Sequence, residues 1–226
     1  MQPTHKKIIA SIAVALIAGA LYYGTYLPYR KSRVFITALQ TASRSTTLED
    51  LKSSFSQALD TPSPVGQEEL VRSVGDAISG IIRNNVADPG VMQDLIDYLD
   101  GYYNPIIERG RGLSFTQNLY LLGLLREVAA IKINAALADL EGALPSDDRR
   151  SAFRALQATY LAEAEEFFLK GLELSPRRPQ FLYGLFDIYR FKGDHEKARF
   201  FGEEILAQWP TDERIRDLVD ALPGGD

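Results

Sequence analysis

Pro176 and Pro210 stand 34 residues apart, and at that offset Ala164, Phe167, Leu172 and Pro176 fall on Ala198, Phe201, Leu206 and Pro210. A proline has no N–H and its ring clashes with the carbonyl one turn back, so each of the two closes a helix. Between them Leu182, Leu185 and Tyr189 recur at three and four residues, which puts them on one helical face. Gly193-Asp194 then supplies a left-handed turn residue followed by an N-cap, and Ala198 leaves room for a neighbouring helix. A self-match of this period is one helix–turn–helix unit, which buries its apolar face only by stacking on its neighbours. The stretch from Tyr160 to Ala221 therefore predicts paired antiparallel helices.

The order Leu182, Leu185, Tyr189, Gly193, Ala198, Pro210 resembles a tetratricopeptide repeat. The pattern of that family has large apolar residues early in the first helix, a Tyr near its end, a Gly in the turn, an Ala opening the second helix and a Pro closing it. Two positions depart from it. Phe186 stands where a small residue is usual and Gly202 where an aromatic is usual, with Phe201 beside it as the expected substitute. The fold class this implies is all-α, an N-terminal transmembrane helix followed by an α-helical, tetratricopeptide-like solenoid.

The membrane helix is read from the residues themselves. Ile8 to Leu27 is a run of 20 uncharged residues, the length needed to span a bilayer as a helix. Tyr22, Tyr23, Tyr26 and Tyr29 gather at its far end, where amphipathic rings favour the headgroup layer, and Arg30, Lys31 and Arg33 follow. The competing reading is a cleaved signal peptide with Lys6-Lys7 as its basic region and Ala18-Gly19-Ala20 as its cleavage box. That box lies inside the apolar run, which favours the anchor. Basic residues flank both ends about equally, so charge sets no orientation. The short tail before the span favours a single-pass protein of the cell membrane with its soluble part on the extracytoplasmic side.

After the span, Leu48, Leu51, Phe55 and Leu59 recur at helical spacing until Thr61-Pro62-Ser63-Pro64 ends the helix, a form similar to a lone second helix of the same repeat. A helix from Gly66 to Asn84 follows with Leu70, Val74, Ala77, Ile78 and Ile81 inward, and another from about Val91 to Tyr102. Gln117-Asn118-Leu119-Tyr120 matches Gln180-Phe181-Leu182-Tyr183 at an offset of 63, which is one repeat plus 29 residues. An insertion near 133–153 accounts for the excess, with long helices either side of a loop near Gly142 to Asp148. The expected organisation is a membrane anchor with basic flanks over 1–33, a helical region with one repeat-like helix over 34–112, repeats with the insertion over 113–222, and a tail over 223–226.

Little in the sequence points to chemistry. There is no cysteine, so disulfides and thiolate metal sites are excluded. Beyond Arg33 the chain carries 20 basic and 30 acidic residues, which argues against nucleic acid. His195-Glu196-Lys197-Ala198-Arg199 lacks the second histidine of a zinc-protease helix, and His195 is expected as an exposed residue at a helix start. Gly110-Arg111-Gly112 lacks the third glycine and the strand of a phosphate cradle. Asp94, Asp97 and Asp100 read as the solvated face of a helix whose other side is Leu95, Ile96 and Leu99. No catalytic constellation, cofactor site or metal site is expected, and the chain is read as a non-enzyme.

The feature with functional content is a surface. In stacked repeats the first helices line a concave groove. In the present register they would offer Gln117, Tyr120 and Glu127 from one unit and Gln180, Tyr183, Asp187 and Arg190 from the next. Such a groove binds a protein or peptide, and Tyr and Arg are the residue types that carry interface energy. The same tyrosines equally fit packing between helices.

A wider likeness follows from the order of segments. Tyr22 to Leu39, then Leu51 to Leu59, then Pro64-Val65-Gly66-Gln67-Glu68-Glu69-Leu70, then the repeats, is similar to the C-terminal tail of bacterial O-antigen ligase and polysaccharide polymerase family proteins. It implies a membrane helix leading into repeats, without the family's many spans or its glycosyl-transfer loop. The expected function is a membrane-anchored helical-repeat protein mediating protein–protein interaction in the cell envelope. The alternative is an accessory or split C-terminal part of an O-antigen ligase-like polysaccharide enzyme.

Overall fold

The structure, a computed structural model, describes residues 3–112, 114–139 and 147–224, and all the regular structure in them is helical. The chain divides into two units, Met1–Val74 and Gly75–Asp226.

In the first unit, α1 (Pro3–Leu21) passes through a π-helical turn (Tyr22–Tyr26) into α2 (Leu27–Ala42). The helical stretch Lys7–Ala42 is 36 residues long and apolar enough to cross a membrane, and its most apolar window is not buried within the protein. Ile8, Val14, Leu16 and Ile17 are each more than half exposed. The wide turn has a local cause: Pro28 brings no N–H to the carbonyl of Gly24, and the N–H of Leu27 bonds instead to Tyr22 O, five residues back. Tyr22 stacks on Tyr26 there, with centroids 5.6 Å apart.

The next helix, α3 (Leu48–Leu59), is capped by Thr47, which accepts from Asp50 N at 3.1 Å, with Glu49 and Asp50 at the positive end of the helix. It packs on α2 through Leu51, Phe55, Ala58 and Leu59. Lys31, counted above among the basic flank of the span, is 5% exposed. Its ammonium donates to Thr61 O at 2.8 Å, to Leu59 O at 3.4 Å and to the side chain of Gln67. The charge therefore serves the negative end of α3 rather than lipid headgroups.

Helix α4 (Gln67–Asn85) begins in the first unit, and its turns from Gly75 belong to the second. Its buried stripe is Leu70, Val71, Val74, Ile78 and Ile82. Ala77 and Ile81, expected inward, are half-exposed because the stripe follows the four-residue row.

In the second unit, Asp88 caps α5 (Pro89–Arg109) by accepting from Gly90 N at 2.8 Å and Val91 N at 3.2 Å, with Pro89 in the first turn. The helix runs past the expected end at Tyr102 and through Pro105, stopping at Gly110 with φ 66°. Tyr103 and Ile106, either side of the proline, are both buried, so packing holds the last turns in place.

Then come α6 (Phe115–Asp139) and α7 (Asp147–Leu174), which pack along each other. The interruption expected over 133–153 is not one: residues 133–139 and 147–153 are helical, and the extra residues lengthen both helices to 25 and 28 residues. Most of the loop expected near Gly142 to Asp148 lies outside the described residues, and Asp147 and Asp148 belong to α7.

α8 (Pro179–Lys192) and α9 (His195–Gln208) form a hairpin turned by Gly193 at φ 72°. Gly193 N bonds to Arg190 O and Asp194 N to Tyr189 O, at 3.1 and 2.9 Å, which satisfies the last carbonyls of α8. Asp194 then caps α9 by accepting from Lys197 N at 3.2 Å. The short α10 (Glu213–Asp220), capped by Asp212, packs on α9.

Large aromatic rings sit against glycines at successive interfaces of α6 to α9. Phe168 of α7 lies over Gly123 of α6 and Gly184 of α8, and Phe181 of α8 over Gly171 of α7. A Cβ at any of these glycines would overlap the ring. Phe186 and Gly202, the two departures from the repeat pattern, are one such pair, with Val219 closing the same space. Phe201, the expected substitute, instead stacks flat on Tyr189 at 5.5 Å.

Candidate functional site: a groove lined by α6, α8 and α10

Five of the seven residues singled out above line one concavity of about 370 Å³: Tyr120 and Glu127 from α6, and Gln180, Tyr183 and Asp187 from α8. Leu124 and Arg214 complete its walls. A second concavity of about 480 Å³ shares Glu127 and Asp187 and adds Arg190 with Ile131, Phe191 and Leu222. Gln117 lines neither and is exposed on α6.

The register that brings these side chains together follows from helix geometry. Tyr120, Leu124, Glu127 and Ile131 recur every three or four residues along α6, as Gln180, Tyr183, Asp187 and Arg190 do along α8. Packing of Phe168 over Gly123 and Gly184 sets both helices against α7.

Both tyrosines are also engaged in packing. The Tyr120 ring stands 6.1 Å from Phe168 and 6.1 Å from Phe181, edge-on to the latter. The hydroxyl of Tyr183 donates to Asp212, the cap of α10, and its ring lies 6.3 Å from Trp209. Burial and that bond push the Tyr183 hydroxyl up to about 12. Each tyrosine thus offers one edge to the groove from a fixed position.

The electrostatics centre on Glu127 and Asp187. Burial, then the nearby Asp187, pushes the Glu127 carboxyl up to about 8, with Arg83 only partly offsetting them. Asp187 is also raised, because burial outweighs Arg190 and Arg214. Arg190 lies 3.3 Å from Asp187 and over the Phe186 ring at 5.3 Å. His195, expected to be exposed, is half-buried in the wall of the second concavity. Among the described residues no group of three His, Asp or Glu side chains is placed to hold a metal ion.

The charged site that the sequence reading missed is structural. Arg126 is 4% exposed and holds Asp100 of α5 through two bonds of 2.8 and 2.9 Å, Glu163 of α7 through Nε, and the Phe167 ring at 5.0 Å. Burial opposes its charge, but Asp100 and Glu163 more than compensate. Asp100 is therefore not on a solvated face, whereas Asp94 and Asp97 are exposed. The signal was present: Arg126-Glu127 is a lone charge pair between Tyr120 and Ile131 in an otherwise apolar helix. Asn118 is fully buried at the position matched by Phe181 in the next repeat, and neither atom of its amide is hydrogen-bonded.

No protein-family model, no curated protein and no solved structure matches this chain. The class the coordinates define is an all-helical protein with one N-terminal helix able to span a membrane.

Proposed function

We propose that the chain is a single-span membrane protein of the cell envelope whose tetratricopeptide-like helices bind a protein or peptide partner, without catalysis of its own. The reading rests on one observation: Tyr120, Glu127, Gln180, Tyr183 and Asp187, drawn from two helices 63 residues apart, face one concavity beside the hairpin α8–α9. Concave faces of stacked helix pairs are where repeat arrays hold extended or helical peptides. The soluble part is placed on the extracytoplasmic side, since only a short tail precedes the span.

Gln180→Arg tests it, because Gln180 is exposed and lines the concavity. With the full chain in detergent, partner crosslinking is expected to fall about tenfold or more while helicity stays unchanged. Equal crosslinking by the variant and the parent defeats the reading. A second reading, an accessory part of an envelope polysaccharide polymerase, is favoured by the helical stretch Lys7–Ala42, which runs without a break from the span to the helix that holds α3. Co-purification with a multi-span glycan ligase distinguishes it.

A further inference from the structure

Three observations coincide along the trough made by the two concavities. They share Glu127 and Asp187, so the carboxyls stand where the two meet. Ile131 and Phe191, 46% and 37% exposed, form an apolar wall on one side. No hydrogen bond reaches the Glu127 carboxyl from any described residue, and no described cation stands within ion-pair distance of it. Arg190 is engaged with Asp187 and the Phe186 ring, and Arg83 and Arg214 act on the two acids only across a distance.

A carboxyl kept in an apolar wall without a donor is costly when ionised, and a cation delivered to it recovers that cost. We infer that the trough receives a Lys or Arg side chain of the partner, held between Glu127 and Asp187, with an adjacent apolar side chain of the same partner against Ile131 and Phe191. This rests on the groove reading above and names the chemistry of its occupant. Charge complementarity selects the basic residue, and the apolar wall selects its neighbour.

The proton balance gives the site a signature. Glu127 is held mostly protonated at neutral pH by burial and by Asp187. Docking of an ammonium or guanidinium favours its ionised form, so binding transfers a proton from Glu127 to the buffer. The groups facing Glu127 are Asp187 from α8, Arg83 from α4 and Tyr120 on its own helix, and those facing Asp187 are Arg190 and Arg214. None of these supplies the missing donor.

The test uses the full chain in phosphatidylcholine nanodiscs, with empty nanodiscs as control. The probes are three short capped peptides with a central Lys, Gln or Glu between two Leu residues. Binding is read by calorimetry and by the fluorescence of Trp209, which is the only tryptophan and adjoins Tyr183. The Lys peptide is expected to bind about tenfold tighter than the Gln peptide and to release a proton at pH 7, detected with two buffers of different ionisation enthalpy. Its affinity should rise about three- to tenfold per pH unit between roughly pH 6 and pH 8. Glu127→Gln with Asp187→Asn, near-isosteric and fold-preserving, should abolish both the preference and the proton release. Equal binding of the Lys and Gln peptides, tighter binding of the Glu peptide, or an unaltered Lys preference in the double variant would each overturn the inference. If any of these occurs while Gln180→Arg still loses its partner, the charge reading falls and the groove stands.

Discussion

Phe186 of α8 fills the space that Gly202 leaves open in α9. Where the repeat pattern sets a small residue against an aromatic, this chain reverses the two sizes and keeps the volume. A Cβ at Gly202 would overlap Val219 and come within 3.0 Å of the Phe186 ring. Gly202→Ala should destabilise the unit by about 1–3 kcal/mol, and Phe186→Ala by about 3–5 kcal/mol. Combining them should cost less than the two losses added, because the smaller ring position makes room for the methyl. Urea denaturation of the detergent-solubilised chain measures all three, and simple additivity would show that the two positions are not coupled.

Arg126 joins α5, α6 and α7 through Asp100 and Glu163. Removing the guanidinium strands two carboxylates in a largely buried position, so Arg126→Met should cost about 3–5 kcal/mol. Replacing Arg126, Asp100 and Glu163 together by Met, Leu and Leu should recover most of that loss. The comparison is one denaturation series on four proteins. A triple variant as unstable as the single one would mean that the triad contributes attraction beyond neutralising itself.

Lys31 ties α2 to the end of α3 through the carbonyls of Leu59 and Thr61. Lys31→Met leaves those carbonyls without their donor, at a cost of about 1–3 kcal/mol. The effect should be local. Amide exchange across Leu48–Leu59 should accelerate roughly tenfold while that of α8 and α9 is unchanged, and uniform protection in the variant would refute the strap.

Glu127 has a folded-state pKa near 8, raised by burial and by Asp187. The unfolded chain ionises this group at about 4.3, so between these values the native state binds more protons. Its contribution to stability is therefore complete below about pH 4 and is lost as pH rises through 8. Relative to Glu127→Gln, the parent should lose on the order of a few kcal/mol between pH 5 and pH 8.5. Parallel slopes for the two proteins in pH-dependent denaturation would contradict that assignment.

What was legible in the sequence was periodicity. Apolar residues at three- and four-residue spacing, the αL turn at Gly193, the cap at Asp194 and the stops at Pro176 and Pro210 are local properties, set by backbone sterics and hydrogen bonding over a few residues. They sufficed for an all-helical chain with one apolar helix at its N-terminus, and the same helical spacing put Tyr120, Glu127, Gln180, Tyr183 and Asp187 on candidate faces.

Partnership was not legible, because it depends on which face meets which neighbour. Lys31 read as a flank of the membrane span and is a buried cap for α3; Asp100 read as solvated and holds Arg126. The interruption assigned to residues 133–153 proved to be continued helix, since burial of Ile133 sustains turns that composition alone disfavours. Local sequence determined where the helices start, stop and turn. Only tertiary packing decided which charges are neutralised and which rings fill the glycine gaps, because desolvation and close packing act between residues far apart in the chain.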